Sequence, residues 1–176
     1  THSIDVLIPP VHSDLAEVRD HYIAYQKSQF EGLIAFLEQQ TGKKLDRDRL
    51  WEVIRLSDKA WDLWYEIDRM RVAVPCPMPA QDHFSTMVAA YYFAGTPVAV
   101  DFYQGLYDEV KDKVDRGLGV IPEEKYRILY GGGLPPWHTL WIFNYFESFG
   151  AVFVIENVYR GYDPVEVPSS VKDPVE

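Results

Sequence analysis

Apolar residues recur at helical spacing through the first half of the chain. Val18, Tyr22, Tyr25, Phe30, Leu33, Ile34 and Leu37 predict a long amphipathic helix from about Asp14 to Gln40. Ser13 or Asp14 is placed as its N-cap, with Glu17 in the capping-box position for Asp14, and Gly42 closes it as a C′ glycine does. A second stripe, Leu50, Val53, Ile54, Ala60, Leu63, Trp64 and Ile67, predicts a helix from Asp46 to roughly Arg71. The short turn between the two predicts an antiparallel helical hairpin. Trp51, Trp61, Trp64 and Tyr65 fit the packing stripe of this second helix better than a cofactor box. Val74-Pro75-Cys76-Pro77-Met78-Pro79 is excluded from helix by three prolines and reads as an exposed, extended linker. A third helix is expected from about Ala80 to Phe93.

The pattern then changes. Thr96-Pro97-Val98-Ala99-Val100-Asp101 is short, apolar and rich in β-formers, which predicts a strand. A helix follows near Leu106 to Arg116 and stops at Gly117. Tyr126 to Tyr130 reads as a second strand, broken by Gly131-Gly132-Gly133. A helix is expected from about Pro136 to Phe149, stopped by Gly150, and Ala151 to Ile155 as a third strand. Strands alternating with helices, and reading as continuous apolar runs, predict parallel βαβ units. The fold class is therefore α/β: a helical N-terminal half followed by part of a doubly wound parallel sheet. The expected divisions are a helical region over 1–95, a βαβαβ region over 96–163 and a tail or linker over 164–176. No internal repeat of useful period is visible.

Composition narrows the partners. The chain has 176 residues, 47% of them hydrophobic and 15% aromatic, enough to bury a substantial core. A formal net charge of −10 weighs against nucleic acid and against anionic membrane surfaces, both of which need clustered Lys and Arg. An anionic ligand would need a local basic or helix-N-terminal pocket. The single cysteine, Cys76, excludes an internal disulfide framework and a self-contained cysteine-rich metal site. With no apolar run near ~18 residues and no signal peptide, the expected location is the cytoplasm. The chain opens on Thr1 with what reads as the tail of a strand, and it closes on a Pro/Val/Ser-rich stretch. Both ends read as parts of a longer polypeptide.

The most suggestive local arrangement is Ile128-Leu129-Tyr130-Gly131-Gly132-Gly133-Leu134-Pro135-Pro136-Trp137-His138. A buried strand ends in glycines and a helix opens on proline. Ligands of open α/β sheets bind beyond the carboxyl ends of strands. There Gly132 and Gly133 permit close backbone approach, and Trp137 and His138 sit at the edge. The stretch is neither a P-loop nor a dinucleotide fingerprint, and a plain strand-to-helix turn is the alternative. Glu156 and Asn157 follow the next strand at the equivalent edge. Glu156 is either an acid/base group with a raised pKa or a simple partner of Arg160. Asp101, Tyr103 and Gln104 hold the corresponding place after the first predicted strand. Cys76 is either a metal ligand shared with residues from elsewhere or an inert thiol. His83, beside Asp82 at the start of the third helix, lacks partners at metal spacing. His2, His12 and His21 are scattered. No nucleophile elbow and no Cys/His/Asn set is present.

Several segments together resemble the benzoyl-CoA reductase / 2-hydroxyacyl-CoA dehydratase family. They are Leu33 to Asp46, Val74-Pro75-Cys76-Pro77-Met78, Gly95 to Asp101, and Ile121-Pro122-Glu123-Glu124-Lys125-Tyr126-Arg127-Ile128-Leu129-Tyr130. The likeness continues through Pro135-Pro136-Trp137 to Gly150-Ala151-Val152-Phe153-Val154. It covers nearly the whole chain, and the Pro-Pro-Trp form of the glycine-rich turn is closer to the reductase type. The resemblance implies an internal piece of one iron–sulfur catalytic subunit that works with a homologous subunit and an ATP-dependent activator that donates single electrons at low potential. It implies an acyl-CoA thioester as substrate, reduced on an aromatic ring or, in the dehydratase alternative, dehydrated. A scaffold subunit that has lost its cluster is the alternative of another class. A [4Fe-4S] cluster needs several thiolates, so most ligands are expected outside this chain, with Cys76 as one candidate. Within that frame Glu156 and His138 are the candidate catalytic residues, and Trp137, Gly132, Gly133 and Asn157 the candidate substrate-binding ones.

Overall fold

The computed structural model describes residues 3–5, 16–131 and 139–157, together with residues 161, 164, 167 and 170–175. Five helices and two strands occur among these residues: α1 (Ala16–Thr41), α2 (Arg47–Met70), α3 (Ala80–Tyr92), α4 (Pro97–Asp115), β1 (Tyr126–Tyr130), α5 (Trp141–Glu147) and β2 (Ala151–Glu156). The chain divides into two compact units, one of residues 1–51 with 167–176 and one of residues 52–166. The division falls within α2.

In the first unit, α1 ends at Gly42, whose φ of 68° is left-handed and suits glycine. The turn behind it is tied by Glu38, whose carboxylate accepts the Leu45 N–H at 2.9 Å and Lys44 Nζ at 2.7 Å. Asp46 caps α2 by accepting the Arg49 N–H at 2.9 Å. Among its described side chains α1 buries none fully, and Phe30 and Leu37 are exposed. Trp51 donates its indole N–H to the Lys172 carbonyl at 3.2 Å.

The second unit holds the core. Ala60, Trp64 and Ile67 of α2 continue the predicted stripe and pack with Ala89 and Ala90 of α3 and with Ala99, Val100, Tyr103 and Val110 of α4. Trp64 stacks on Tyr103, centroids 5.7 Å apart. A second cluster joins Phe84 of α3 to Phe143 of α5 and Phe153 of β2, with the Phe84 and Phe143 rings stacked at 5.1 Å. Burying a side chain of this size stabilises by roughly 1.5–3 kcal/mol.

β1 and β2 pair in parallel, with Tyr126 opposite Ala151 and Tyr130 opposite Glu156. The register shifts between Ile128 and Leu129, so β2 carries one extra residue. Four consecutive β2 residues, Ala151 to Val154, are buried, as expected of a strand covered on both faces. The helical half followed by a parallel sheet agrees with the predicted α/β class, the sheet being two-stranded among the described residues.

One predicted strand is corrected. Thr96 to Asp101 opens α4, with Thr96 at the N-cap and Pro97 in the first turn. The buried residues Ala99, Val100, Tyr103 and Val110 recur at helical, not alternating, spacing. Tyr103 is therefore a core residue whose hydroxyl donates to the Thr86 carbonyl at 2.7 Å, not part of a crevice edge. Asp101 and Gln104 lie exposed on the same helix. The Pro-rich segment is corrected too. Cys76 packs with Val152 and Val154 of β2 and Met78 joins the helical core, so both are buried, while Arg127 donates to the Val72 carbonyl at 2.8 Å and the Ala73 carbonyl at 3.1 Å. Glu124 accepts the Cys76 N–H, and the Val120 N–H donates to the Cys76 carbonyl at 2.9 Å. The Val74–Pro75 peptide is cis.

Candidate functional site

The apolar stripe of α2 does not stop with apolar residues. Ala60, Trp64 and Ile67 are followed at the same spacing by Arg71, one residue past the helix, which is buried to 1% exposure. A buried guanidinium demands a partner. That partner is Glu156, the last residue of β2, itself 2% exposed. Arg71 Nη2 donates to Glu156 Oε1 at 2.8 Å, and Nη1 donates to Oε2. Nη2 also reaches the Phe153 carbonyl at 2.9 Å. The pair is the two-point arrangement that guanidinium and carboxylate geometry favour.

His83 of α3, wholly buried, lies between two carboxylates. Its Nδ1 is 3.3 Å from Glu156 Oε2, and its Nε2 touches Asp68 Oδ1. The Trp64 indole N–H points at the same Nε2 from 3.3 Å. With Nε2 unprotonated the imidazole accepts from Trp64; with the proton on Nε2 it is aimed at Asp68 instead. Asp68 Oδ2 accepts the Gly161 N–H at 2.6 Å. Arg71, Glu156, His83 and Asp68 thus close a ring built from the end of α2, α3 and β2. Beside it opens a cavity of about 120 Å³, lined by Tyr65, Asp68, Arg69 and Arg71 on one side and Val154, Ile155 and Glu156 on the other.

The electrostatics correct the expectation for Glu156. Burial pushes its carboxyl up, but the paired Arg71 guanidinium, with His83 beside it, more than offsets this and holds it down at about 2. A carboxyl so strongly ionised lacks the raised pKa of a general acid. Its partner among the described residues is Arg71. Burial likewise works against the Arg71 charge, and Glu156 outweighs it, leaving the guanidinium pKa above its usual value.

Asn157 is exposed at the carboxyl end of β2. Its N–H donates to the Tyr130 carbonyl at 3.2 Å, and its side-chain amide reaches the Gly131 carbonyl at 3.4 Å. The structure therefore brings Asn157 and Gly131, the first glycine of the predicted turn, to one edge. Gly132, Gly133, Trp137 and His138, and with them the predicted start of the helix at Pro136, lie outside the described residues, as does Arg160. A broad groove of about 700 Å³, lined in part by Lys125, Asn144, Phe149 and Gly150, lies instead at the amino ends of the strands.

Cys76 is not set up as a thiolate. Burial pushes its thiol up, and the S–H donates to the Met78 carbonyl at 3.3 Å. Among the described residues no group of three or more His, Cys, Asp or Glu is arranged to hold a metal ion. The described residues do not by themselves build a site for an iron–sulfur cluster.

Sequence reasoning passes over Asp68 and Arg71 and sets His83 aside. The signal is nonetheless present: Arg71 falls in register with Ala60, Trp64 and Ile67, and His83 shares the buried face of α3 with Ala80, Phe84 and Ala90. A charge on an apolar stripe announces a buried pair.

Helices followed by a parallel strand pair, with Asn157 and Gly131 at the strands' carboxyl ends, define an α/β domain. The sequence model of the family "2-hydroxyglutaryl-CoA dehydratase, D-component" matches residues 2–176, and the chain belongs to that family. It is 32% identical to the alpha subunit of (R)-phenyllactyl-CoA dehydratase from Clostridium sporogenes, over 72% of this chain and 31% of that subunit. Against the alpha subunit of (R)-2-hydroxyisocaproyl-CoA dehydratase from Clostridioides difficile the identity is 31%, over 75% and 33% respectively. Against a benzoyl-CoA reductase subunit from Thauera aromatica it is 34%, over 70% and 31%. The chain spans about a third of the length of the curated relatives it matches. No described helix is long and apolar enough to cross a membrane.

Proposed function

We propose that this chain is part of a subunit of an enzyme that acts on an acyl-CoA thioester by low-potential one-electron chemistry, of the benzoyl-CoA reductase or 2-hydroxyacyl-CoA dehydratase type. The observation that carries the reading is the family match over residues 2–176, with relatives named for both activities. The reductase reading rests on the Pro135-Pro136-Trp137 turn. The dehydratase reading is favoured by the two dehydratase alpha subunits at 32% and 31% identity.

In this reading the thioester lies along the edge formed by Gly131 and Asn157, with Gly132, Gly133 and Trp137 as further contacts and His138 as the acid/base candidate. Glu156 supports that edge from beneath rather than reacting. The complete subunit works beside a homologous subunit and an ATP-dependent electron donor. Its [4Fe-4S] cluster takes its thiolates mainly from outside these residues, because Cys76 is a hydrogen-bonded, buried thiol.

The test is an assay of the complete gene product, purified without oxygen together with its partner. Iron and acid-labile sulfide are measured first; several irons per subunit are expected, and folded protein with none would overturn electron-transfer chemistry and favour a scaffold. Turnover of an aromatic acyl-CoA against a 2-hydroxyacyl-CoA, with activator and ATP, then separates reductase from dehydratase.

A further inference from the structure

Asp68 and Arg71 stand three residues apart at the end of α2, a spacing that puts both on one helix face. They hold the end of β2 at one point and Gly161 at another. Arg71 grips the Glu156 carboxylate and the Phe153 carbonyl, and Asp68 accepts the Gly161 N–H at 2.6 Å. His83 links the two grips, lying between Glu156 Oε2 and Asp68 Oδ1. Gly161 is packed so closely on α2 that an added Cβ would stand 2.4 Å from both N and Cα of Tyr65. Backbone atoms cannot yield to such a contact as a flexible side chain does. Between the two grips lies Asn157, exposed, its amide groups directed at the Tyr130 and Gly131 carbonyls.

We infer that Asp68, Arg71 and His83 form a clamp of positioning residues that fixes the end of β2 and Gly161 against α2 and so holds the Asn157 edge in place for the acyl-CoA thioester. The inference deepens the proposed function and rests on it for the identity of the ligand. The clamp touches no reacting atom. A bidentate buried pair at one end and a glycine seated on a helix at the other leave the edge little freedom. Preorganisation of this kind matters because a displacement near 1 Å at a site can cost about 100-fold in rate.

The test uses the complete subunit with its partner and two readouts. Amide-resolved hydrogen exchange follows the Gly161 and Asn157 N–H groups, and steady-state turnover of acyl-CoA gives kcat and KM. Asp68→Ala removes the acceptor, Asp68→Asn keeps one, and Gly161→Ala pushes the chain off α2 while leaving every clamp side chain intact. Loss of Gly161 protection in Asp68→Ala and Gly161→Ala, retention in Asp68→Asn, and a fall in kcat on the order of 100-fold that Asp68→Asn largely restores are expected. Unchanged Gly161 exchange in Asp68→Ala overturns the clamp whatever the ligand is. Lost protection with kcat and KM unaltered overturns the positioning role. Wild-type complex that turns over no acyl-CoA removes the proposed function and the ligand with it, while the exchange result still decides the clamp. If Asp68→Ala fails to fold, the comparison of Gly161→Ala with Asp68→Asn carries the same decision.

Discussion

The Arg71 guanidinium and the Glu156 carboxylate, 85 residues apart in the chain, meet as a buried two-point pair. The contact joins the end of the second helix to the end of the second strand, and it does so where apolar packing would otherwise be expected. Each partner cancels the desolvation of the other, so the value of the pair lies in the matching of both. Phe153 contributes a carbonyl to the same guanidinium, which ties the strand's backbone as well as its last side chain.

Removing one partner should therefore cost far more than removing both. Arg71→Met leaves Glu156 charged in an apolar site and is expected to destabilise the fold by about 3–5 kcal/mol. Arg71→Met with Glu156→Leu should recover most of that loss. Urea unfolding of the three proteins measures it. Equal losses in the single and double variants would show that the pair is not the source.

Glu156 also sets a pH dependence. Its carboxyl is held at about 2 in the fold against an ordinary 4.5. Such a lowered group stabilises the folded state above the unfolded value, and the contribution is lost as pH falls through the folded one. The stabilisation is therefore full above about pH 4.5 and fades toward pH 2, by an amount on the order of 3 kcal/mol. Glu156→Gln should flatten that part of the stability curve. A wild-type curve of the same slope as the variant's between pH 5 and pH 2 would contradict the assignment.

How much of this is legible in the sequence depends on the range of the contact. The helices at Ala16–Thr41 and Arg47–Met70 and both strands follow from periodicity and glycine stops, which act within a few residues. Thr96 to Asp101 reads as a strand because Val98 and Val100 are β-branched; the helical spacing of Ala99, Tyr103 and Val110 emerges only when the window extends past Asp101. Glu156 has its nearest cation in sequence at Arg160, whereas Arg71 comes to it through tertiary packing. Cys76 looks exposed among prolines, and it is buried against Val152 and Val154 of β2, with its backbone bonded to Glu124 and Val120, all far along the chain. That Asn157 and Gly131 share one edge is legible from reading both strands as parallel. The ring beneath it is not.

Burial of Cys76 predicts an unreactive thiol. Its pKa is pushed up by burial, and the thiolate is the reacting species. Reaction with a soluble disulfide reagent at pH 8 should be slow in the folded protein and fast in guanidinium chloride. Arg127→Ala, which frees the Val72 and Ala73 carbonyls, should speed it without unfolding the chain. Fast labelling of the folded wild type would place the thiol at the surface.

Gly95 offers a test of packing between α2 and the turn into α4. Its φ is 69°, a conformation that costs an L-residue roughly 1–2 kcal/mol. A Cβ there would also stand 2.4 Å from Val53 Cγ1 and 3.3 Å from the Val53 carbonyl oxygen. Gly95→Ala is thus expected to destabilise by about 2–4 kcal/mol, strain and overlap together. In a Val53→Ala background the Cγ1 overlap disappears while the backbone strain persists. The cost of Gly95→Ala should then shrink toward the strain alone, giving a coupling of at least about 1 kcal/mol in the double-mutant cycle. Thermal or urea unfolding of the four proteins measures it. Strict additivity would mean that Val53 Cγ1 does not set the limit at this turn, leaving left-handed strain and the Val53 backbone contact to account for the effect.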